Sequence, residues 1–296
     1  MTAQNRFVLS LLLFRRCRLH EKQICVAESG SLVYAETERQ SERGYGMKRL
    51  ACILTIVIFL FCMGTAAFSM AETGADPENN PDWTGKKWAA IGDSHTENNF
   101  RAAKTYVNYI QEDTGITAVN LGKSGMGWMR KGGFYKLVYL VPADADVVTF
   151  YGSFNDLSSK RLLGTVTDTD LNTIAGCVNK ALDLVSERVP DAKVGIITPC
   201  PWEQFTPLTG LTPEKGRPMD ESDRAIAYCQ LLCEICEARG IPCLDLFHCS
   251  GLEPWKAEVR KALYTRDSGN GCHPDENGHK LIAPLFLDFI KQLMDN

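Results

Sequence analysis

Basic charge is scarce in this chain. Its 296 residues carry 32 Lys and Arg against 36 Asp and Glu, a net charge of −4. A binder that relies on a basic face for nucleic acid is excluded by that balance. The chain also lacks the signatures of a mainly disordered protein, a collagen or a polytopic membrane protein: 45% of residues are hydrophobic and 23% charged, with 24 Gly and 13 Pro. No internal repeat occurs. No His/Asp/Glu set has the spacing of a zinc site, so neither metal nor cofactor is expected.

What is present begins with an address. Residues 1–71 hold nine Lys/Arg and five Asp/Glu, which leaves residues 72–296 at −8. Met47-Lys48-Arg49 is basic, Leu50–Met63 is apolar apart from Thr55, and Ser69-Met70-Ala71 has the small-x-small form of a cleavage site. Residues 47–71 therefore read as a secretory signal peptide. An uncleaved anchor is the rival reading, since the apolar run can extend to Phe68. A lipid anchor at Cys62 is disfavoured by Leu60 and Phe61, where small residues are needed. Residues 1–46 carry no domain pattern and read as a non-native upstream extension, with Met47 as initiator. Residues 72–86 contain Pro77, Asn79, Asn80 and Pro81, a linker composition. The expected location is secreted or cell-surface.

Residues 87–296 alternate between short apolar runs and amphipathic stretches. Strands are expected at Lys87–Ile91, Thr117–Leu121, Asp146–Tyr151, Lys193–Thr198 and Ile241–Leu246. Helices are expected at Arg101–Glu112, from Leu171 to Val185 with Asp168 or Asp170 as cap, at Glu221–Arg239, and over Ile282–Leu293 with a kink at Pro284. Strands separated by helices imply a parallel five-stranded sheet in a three-layer α/β/α sandwich. Ligands in such folds sit beyond the carboxyl ends of the strands.

The segments at those ends carry chemistry. Gly92-Asp93-Ser94 follows the first strand, Asn120-Leu121-Gly122-Lys123-Ser124-Gly125 the second, and Gly152-Ser153-Phe154-Asn155-Asp156 the third. His273-Pro274 and Gly278-His279 lie near the end. Singly, each is an ordinary turn or helix cap; their joint order at one sheet edge is the signal. A serine hydroxyl needs a base within hydrogen-bond reach, and imidazole has the pKa for that task.

In these four blocks the sequence resembles the SGNH/GDSL hydrolases (GDSL-like lipases and acylhydrolases), which have a flavodoxin-like sandwich. The resemblance implies Ser94 as nucleophile, His273 as base, and an oxyanion hole of the Ser94 and Gly125 backbone N–H groups and the Asn155 amide. It departs from the family in two places. The Asn block is one residue longer, through Ser153 and Phe154. The third residue before the catalytic His, usually Asp, is Asn270, with Asp267 six before. Asn270 could accept the ring N–H as in Cys-His-Asn enzymes, Asp267 could reach in, or the protein could be a weakly active member.

The implied function is a secreted serine esterase acting on short O-acyl esters, acetyl first, on a small or carbohydrate alcohol. An O-acyltransferase and a non-catalytic carbohydrate-binding protein on a hydrolase scaffold are the alternatives. Trp128, Trp202 and His95 are the candidate substrate contacts, the two Trp as a stacking surface for a sugar. Neither nucleic acid nor a stable membrane partner is expected, unless the signal stays uncleaved. Eight Cys lie beyond Ala71, and Cys249 with Cys272 is the attractive disulfide guess. Cys229, Cys233 and Cys236 read as an apolar helix stripe rather than a cluster site.

Overall fold

The computed structural model describes residues 80–206, 220–265 and 271–295. The expected signal peptide and upstream extension lie outside the described residues, as does most of the expected linker. No helix among the described residues is long and apolar enough to cross a membrane.

Five strands form one parallel sheet: β1 (Lys87–Gly92), β2 (Thr117–Gly122), β3 (Val147–Tyr151), β4 (Lys193–Ile197) and β5 (Cys243–Leu244). Their order is β2-β1-β3-β4-β5, the flavodoxin-like arrangement. The long helices between them are α1 (Tyr106–Thr114), α3 (Ile174–Arg188), α4 (Asp220–Arg239) and α7 (Glu276–Asp295). Three short α-helices, α2 (Asn155–Ser158), α5 (Leu246–Cys249) and α6 (Ala257–Leu263), and two 3-10 helices, Arg130–Gly132 and Phe134–Leu140, complete the order.

Both sheet faces are covered, which the unbroken apolar runs of β1 and β3 require. Ala89, Ile91, Val148, Phe150 and Ile196 face α3 and α4. Trp88, Ala90, Val147, Tyr151 and Ile197 face α1 and α7. Trp88 also spends its indole N–H on Thr149 Oγ1, 2.9 Å away on β3. The chain joins this domain ahead of Lys87: Trp83 is buried against the α1 side, and its N–H donates to Thr114 O at 2.7 Å.

Several boundaries move for local reasons. The first helix starts at Tyr106 rather than Arg101, because the Asn108 side chain accepts the Thr105 N–H at 2.9 Å and fixes the entry there. The cap of α3 is Thr173, whose hydroxyl accepts the Gly176 N–H at 3.0 Å, and not Asp168 or Asp170. The α4 helix ends at Gly240, φ +64°. The α7 helix runs on through Pro284.

Candidate active site

The turn after β1 is built before its serine is placed. Asp93 C=O accepts the N–H groups of Thr96 (3.2 Å) and Glu97 (3.0 Å), and its carboxylate accepts the His95 N–H at 2.9 Å. A Cβ on Gly92 would sit 2.0 Å from Thr96 Oγ1, so the turn closes only over glycine. This folding leaves Ser94 at the carboxyl edge of the sheet, between the strand ends of β2 and β3.

His273 arrives from the other end of the chain. Its C=O accepts the Thr265 N–H at 2.9 Å, Asp275 N–H donates to Leu263 O at 2.9 Å, and Tyr264 pairs with Pro274 as an antiparallel bridge. Those bonds clamp the segment before α7 against the end of α6. The result is a contact of 3.0 Å between Ser94 Oγ and His273 Nε2, across 179 residues of sequence. The two candidates for orienting the imidazole, Asn270 and Asp267, lie outside the described residues.

The Gly block lies opposite. Gly125 has φ +75°, a conformation L side chains rarely adopt, and a Cβ there would press Lys131 Nζ at 2.8 Å. Among the described residues, the backbone N–H groups of Ser94 and Gly125 have no hydrogen-bond acceptor in the protein. Glu97 holds this loop from beneath by accepting from the Ser124 hydroxyl and N–H.

The Asn block is more heavily bonded than its sequence suggests. Asn155 Nδ2 lies 3.0 Å from Asp93 Oδ2, 2.9 Å from Met126 O and 2.8 Å from Ser153 Oγ. The amide nitrogen expected to face an oxyanion therefore has protein acceptors instead. Ser153 Oγ also donates to Asp93 Oδ2. Asp93 is wholly buried, which raises its pKa, while the bonds from His95 and Ser153 act against that rise.

Asp156 is the residue that sequence reasoning reduced to a helix cap. Its carboxylate accepts the backbone N–H groups of Trp128 (2.6 Å), Arg130 (2.9 Å) and, more weakly, Met129 (3.3 Å). It anchors the segment that follows Gly125. A Cβ on Gly127 would meet Asp156 Oδ2 at 2.3 Å, so a glycine stands where the carboxylate approaches.

The three expected substrate contacts are corrected. Trp128 is fully buried between Phe134 and Phe150 and donates its indole N–H to Tyr228 OH at 2.8 Å. Trp202 is 8% exposed, packed on Phe154, Phe205 and His95. Neither offers a face for a sugar. His95 is buried beneath the site rather than at a solvent-facing helix start. Its ring stands edge-on to His273, with centroids 5.3 Å apart, and its Nδ1 is 3.6 Å from Cys200 Sγ. Burial pulls the His95 pKa down to about 4, opposed by the Cys272 main chain and aided by Arg101. The ring is neutral at pH 7. His248 points elsewhere, bonding Asp245 at 2.7 Å.

No disulfide joins any two of the eight described cysteines. Cys249 is exposed and Cys272 buried, and the closest sulfur pair is instead Cys233 Sγ and Cys243 Sγ at 3.3 Å. Cys272 Sγ lies 3.9 Å from His273 Nε2.

A parallel sandwich of this order, with a serine hydroxyl and an imidazole in contact beyond its strand ends, defines the class of the flavodoxin-like serine hydrolases. The sequence matches the GDSL-like lipase/acylhydrolase family over residues 90–281, and the chain belongs to that family. It is accordingly an ester hydrolase. Among solved structures it is similar to a protein of Lactobacillus plantarum, at 22% identity and a TM-score of 0.57, covering 71% of this chain and 98% of that one. It is also similar to a possible lipase from Chitinophaga pinensis, at 21% identity and a TM-score of 0.52, covering 70% and 98%. At those identities the likeness shows the fold. No curated protein matches.

Proposed function

We propose that the protein is an exported serine esterase that removes short acyl groups, acetyl first, through an acyl-enzyme on Ser94. The single observation that carries this reading is the 3.0 Å contact between Ser94 Oγ and His273 Nε2. His273 takes the hydroxyl proton as Ser94 attacks the acyl carbon, then returns it to the leaving alcohol. Water repeats the sequence to free the acid. The unengaged N–H groups of Ser94 and Gly125 suit the oxyanion, each such donor being worth about 3–4 kcal/mol of barrier.

Asn155 enters this scheme by exchange. To meet the oxyanion, its N–H must leave the Met126 carbonyl, swapping a neutral acceptor for a charged one. Charge-assisted bonds are roughly twice as strong as neutral ones, so the exchange favours the transition state over the resting enzyme. The rings of Trp202, Phe154 and Phe205 fill the space behind His95, which supports a short acyl group over a long one. A carbohydrate alcohol has lost its ground in the two buried tryptophans, so the alcohol stays general. Export rests on the basic-apolar-small pattern of residues 47–71.

The test is hydrolysis of p-nitrophenyl esters of increasing chain length by the wild type and Ser94→Ala. Acetate should be the preferred ester, and the substitution should abolish turnover while leaving the fold intact. Equal turnover in the two proteins would end the mechanism through Ser94, and no turnover in either would favour the binding-protein alternative. A rate that climbs with chain length would end the short-acyl assignment.

A further inference from the structure

The expectation of no metal came from spacing along the chain, and folding defeats spacing. One ligand atom each from His95, Cys272 and His273 lie within 4.8 Å of one another. Two of these residues are buried and the third is half-buried. Tetrahedral zinc, with bonds of about 2.0–2.3 Å, holds its ligand atoms roughly 3.3–3.8 Å apart. Closing this set around an ion is a matter of side-chain rotation.

A second observation points the same way. His95 is 2% exposed, and the partners of its ring are Cys200 Sγ, 3.6 Å from Nδ1, and the Cys272 main chain. A buried imidazole set beside a second imidazole and a thiol calls for an explanation. The esterase cycle gives none, because His95 touches neither the hydroxyl proton nor the expected oxyanion donors. Burial keeps this ring neutral, the form in which an imidazole nitrogen binds a cation.

We propose that His95, Cys272 and His273 form a binding site for a thiophilic divalent cation of the zinc class, and that occupancy switches the esterase off. On binding, the Cys272 thiol loses its proton to solvent and the thiolate, with one nitrogen from each imidazole, coordinates the ion. Water fills the fourth position. The metal takes the His273 Nε2 lone pair that otherwise receives the Ser94 proton, and the 3.0 Å hydrogen bond is lost. The site carries one residual positive charge, and the buried Asp93 carboxyl is close enough to feel the charge of His273. Binding stands on the geometry alone; the inhibition rests on Ser94 and His273 as the reacting pair.

Two measurements keep those claims apart. In the first, metal-free Ser94→Ala protein is titrated with cobalt(II), which reports thiolate ligation by a near-ultraviolet charge-transfer band. The band should appear in Ser94→Ala and in wild type and be absent from Cys272→Ala. In the second, zinc should inhibit wild-type hydrolysis of p-nitrophenyl acetate reversibly, with full recovery on adding a chelator. Cys272→Ala and the conservative Cys272→Ser should keep the metal-free rate and need roughly tenfold or more zinc for the same inhibition. Absence of the band in folded Ser94→Ala overturns the site. Equal zinc sensitivity in wild type and both Cys272 variants overturns the switch. A band in a wild type that hydrolyses no ester upholds the site and refutes the esterase reading instead.

Discussion

Replacing Asp156 with alanine strips three backbone N–H groups of their acceptor at once, those of Trp128, Met129 and Arg130. Each buried donor left unbonded costs about 1–3 kcal/mol. Trp128 is fully buried and pays its cost in full, whereas Met129 and Arg130 are half-buried and water recovers part of theirs. The sum is about 3–5 kcal/mol, a large share of the roughly 5–15 kcal/mol that holds a typical domain together. The loss also has a place. The freed segment begins next to Gly125, whose N–H is a proposed oxyanion donor, and misplacing one such donor lowers kcat by roughly 100-fold or more. Asp156→Asn keeps one oxygen but turns an amide NH2 toward N–H groups, so it should recover only part of either loss. Urea unfolding gives the stability term, and kcat on p-nitrophenyl acetate gives the catalytic one. An Asp156→Ala protein with the wild-type unfolding midpoint and unchanged kcat would refute the anchoring argument.

Other consequences can be checked singly. His279 is buried in α7, and burial lowers its pKa to about 3; protonation favours the unfolded chain, so stability is full above pH ~6.5 and is lost as pH falls toward 3, at about 1.4 kcal/mol per unit. His279→Phe should remove that slope from urea titrations between pH 6 and pH 4, as rough bounds of the window, and an unchanged slope would assign the acid sensitivity to other groups. Gly125→Ala puts a Cβ at φ +75° against Lys131 Nζ; kcat should fall well before KM or the melting temperature changes, and a wild-type kcat would remove Gly125 from the oxyanion hole. Cys233 and Cys243, with sulfurs 3.3 Å apart, should be the first pair joined on exposure to oxidised glutathione, which takes up the two electrons and two protons released. Peptide mapping without reductant should find that link, and recovery of both cysteines alkylated after oxidation would exclude it.

The sandwich was legible because its central strands are buried on both sides and therefore read as unbroken apolar runs. Lys87–Ile91 and Asp146–Tyr151 needed no partner information to be recognised. The edge of the sheet was harder. The fifth strand, expected to run from Ile241 to Leu246, forms only at Cys243–Leu244. Pro242 contributes a carbonyl to Ile196 but has no N–H for a ladder, and Asp245 already opens α5. The meeting of Ser94 with His273 was legible in two ways. Ser94 follows the first strand, where this topology concentrates chemistry, and His273, which follows α6 rather than a strand, came from the resemblance to the GDSL hydrolases. The roles of Trp128, Trp202 and His95 were not legible. Their loops fold back over the sheet, and burial of a loop residue depends on contacts far away in sequence. Asp156 was illegible for a different reason: its partners are main-chain N–H groups, which every residue but proline possesses.

The longer Asn block shows how such a departure is absorbed. The extra length accommodates Phe154, whose ring is fully buried among Trp202, Phe205, Tyr228 and Phe247. Phe154 thus plugs the core on the α3 and α4 side of the sheet, and the hydroxyl before it reaches the other way. Ser153 Oγ bonds Asp93 and accepts from the Asn155 N–H groups, main-chain and side-chain, while Ser153 N–H donates to Tyr228 OH at 3.2 Å. The same Tyr228 hydroxyl receives the Trp128 indole. The added residue therefore ties together the serine turn, the asparagine turn and the segment after Gly125, instead of displacing Asn155 from the sheet edge. An insertion that had merely lengthened a surface turn would leave Phe154 exposed and Asp93 short of a donor. The observed packing makes the extra position part of the scaffold that holds Ser94 in reach of His273.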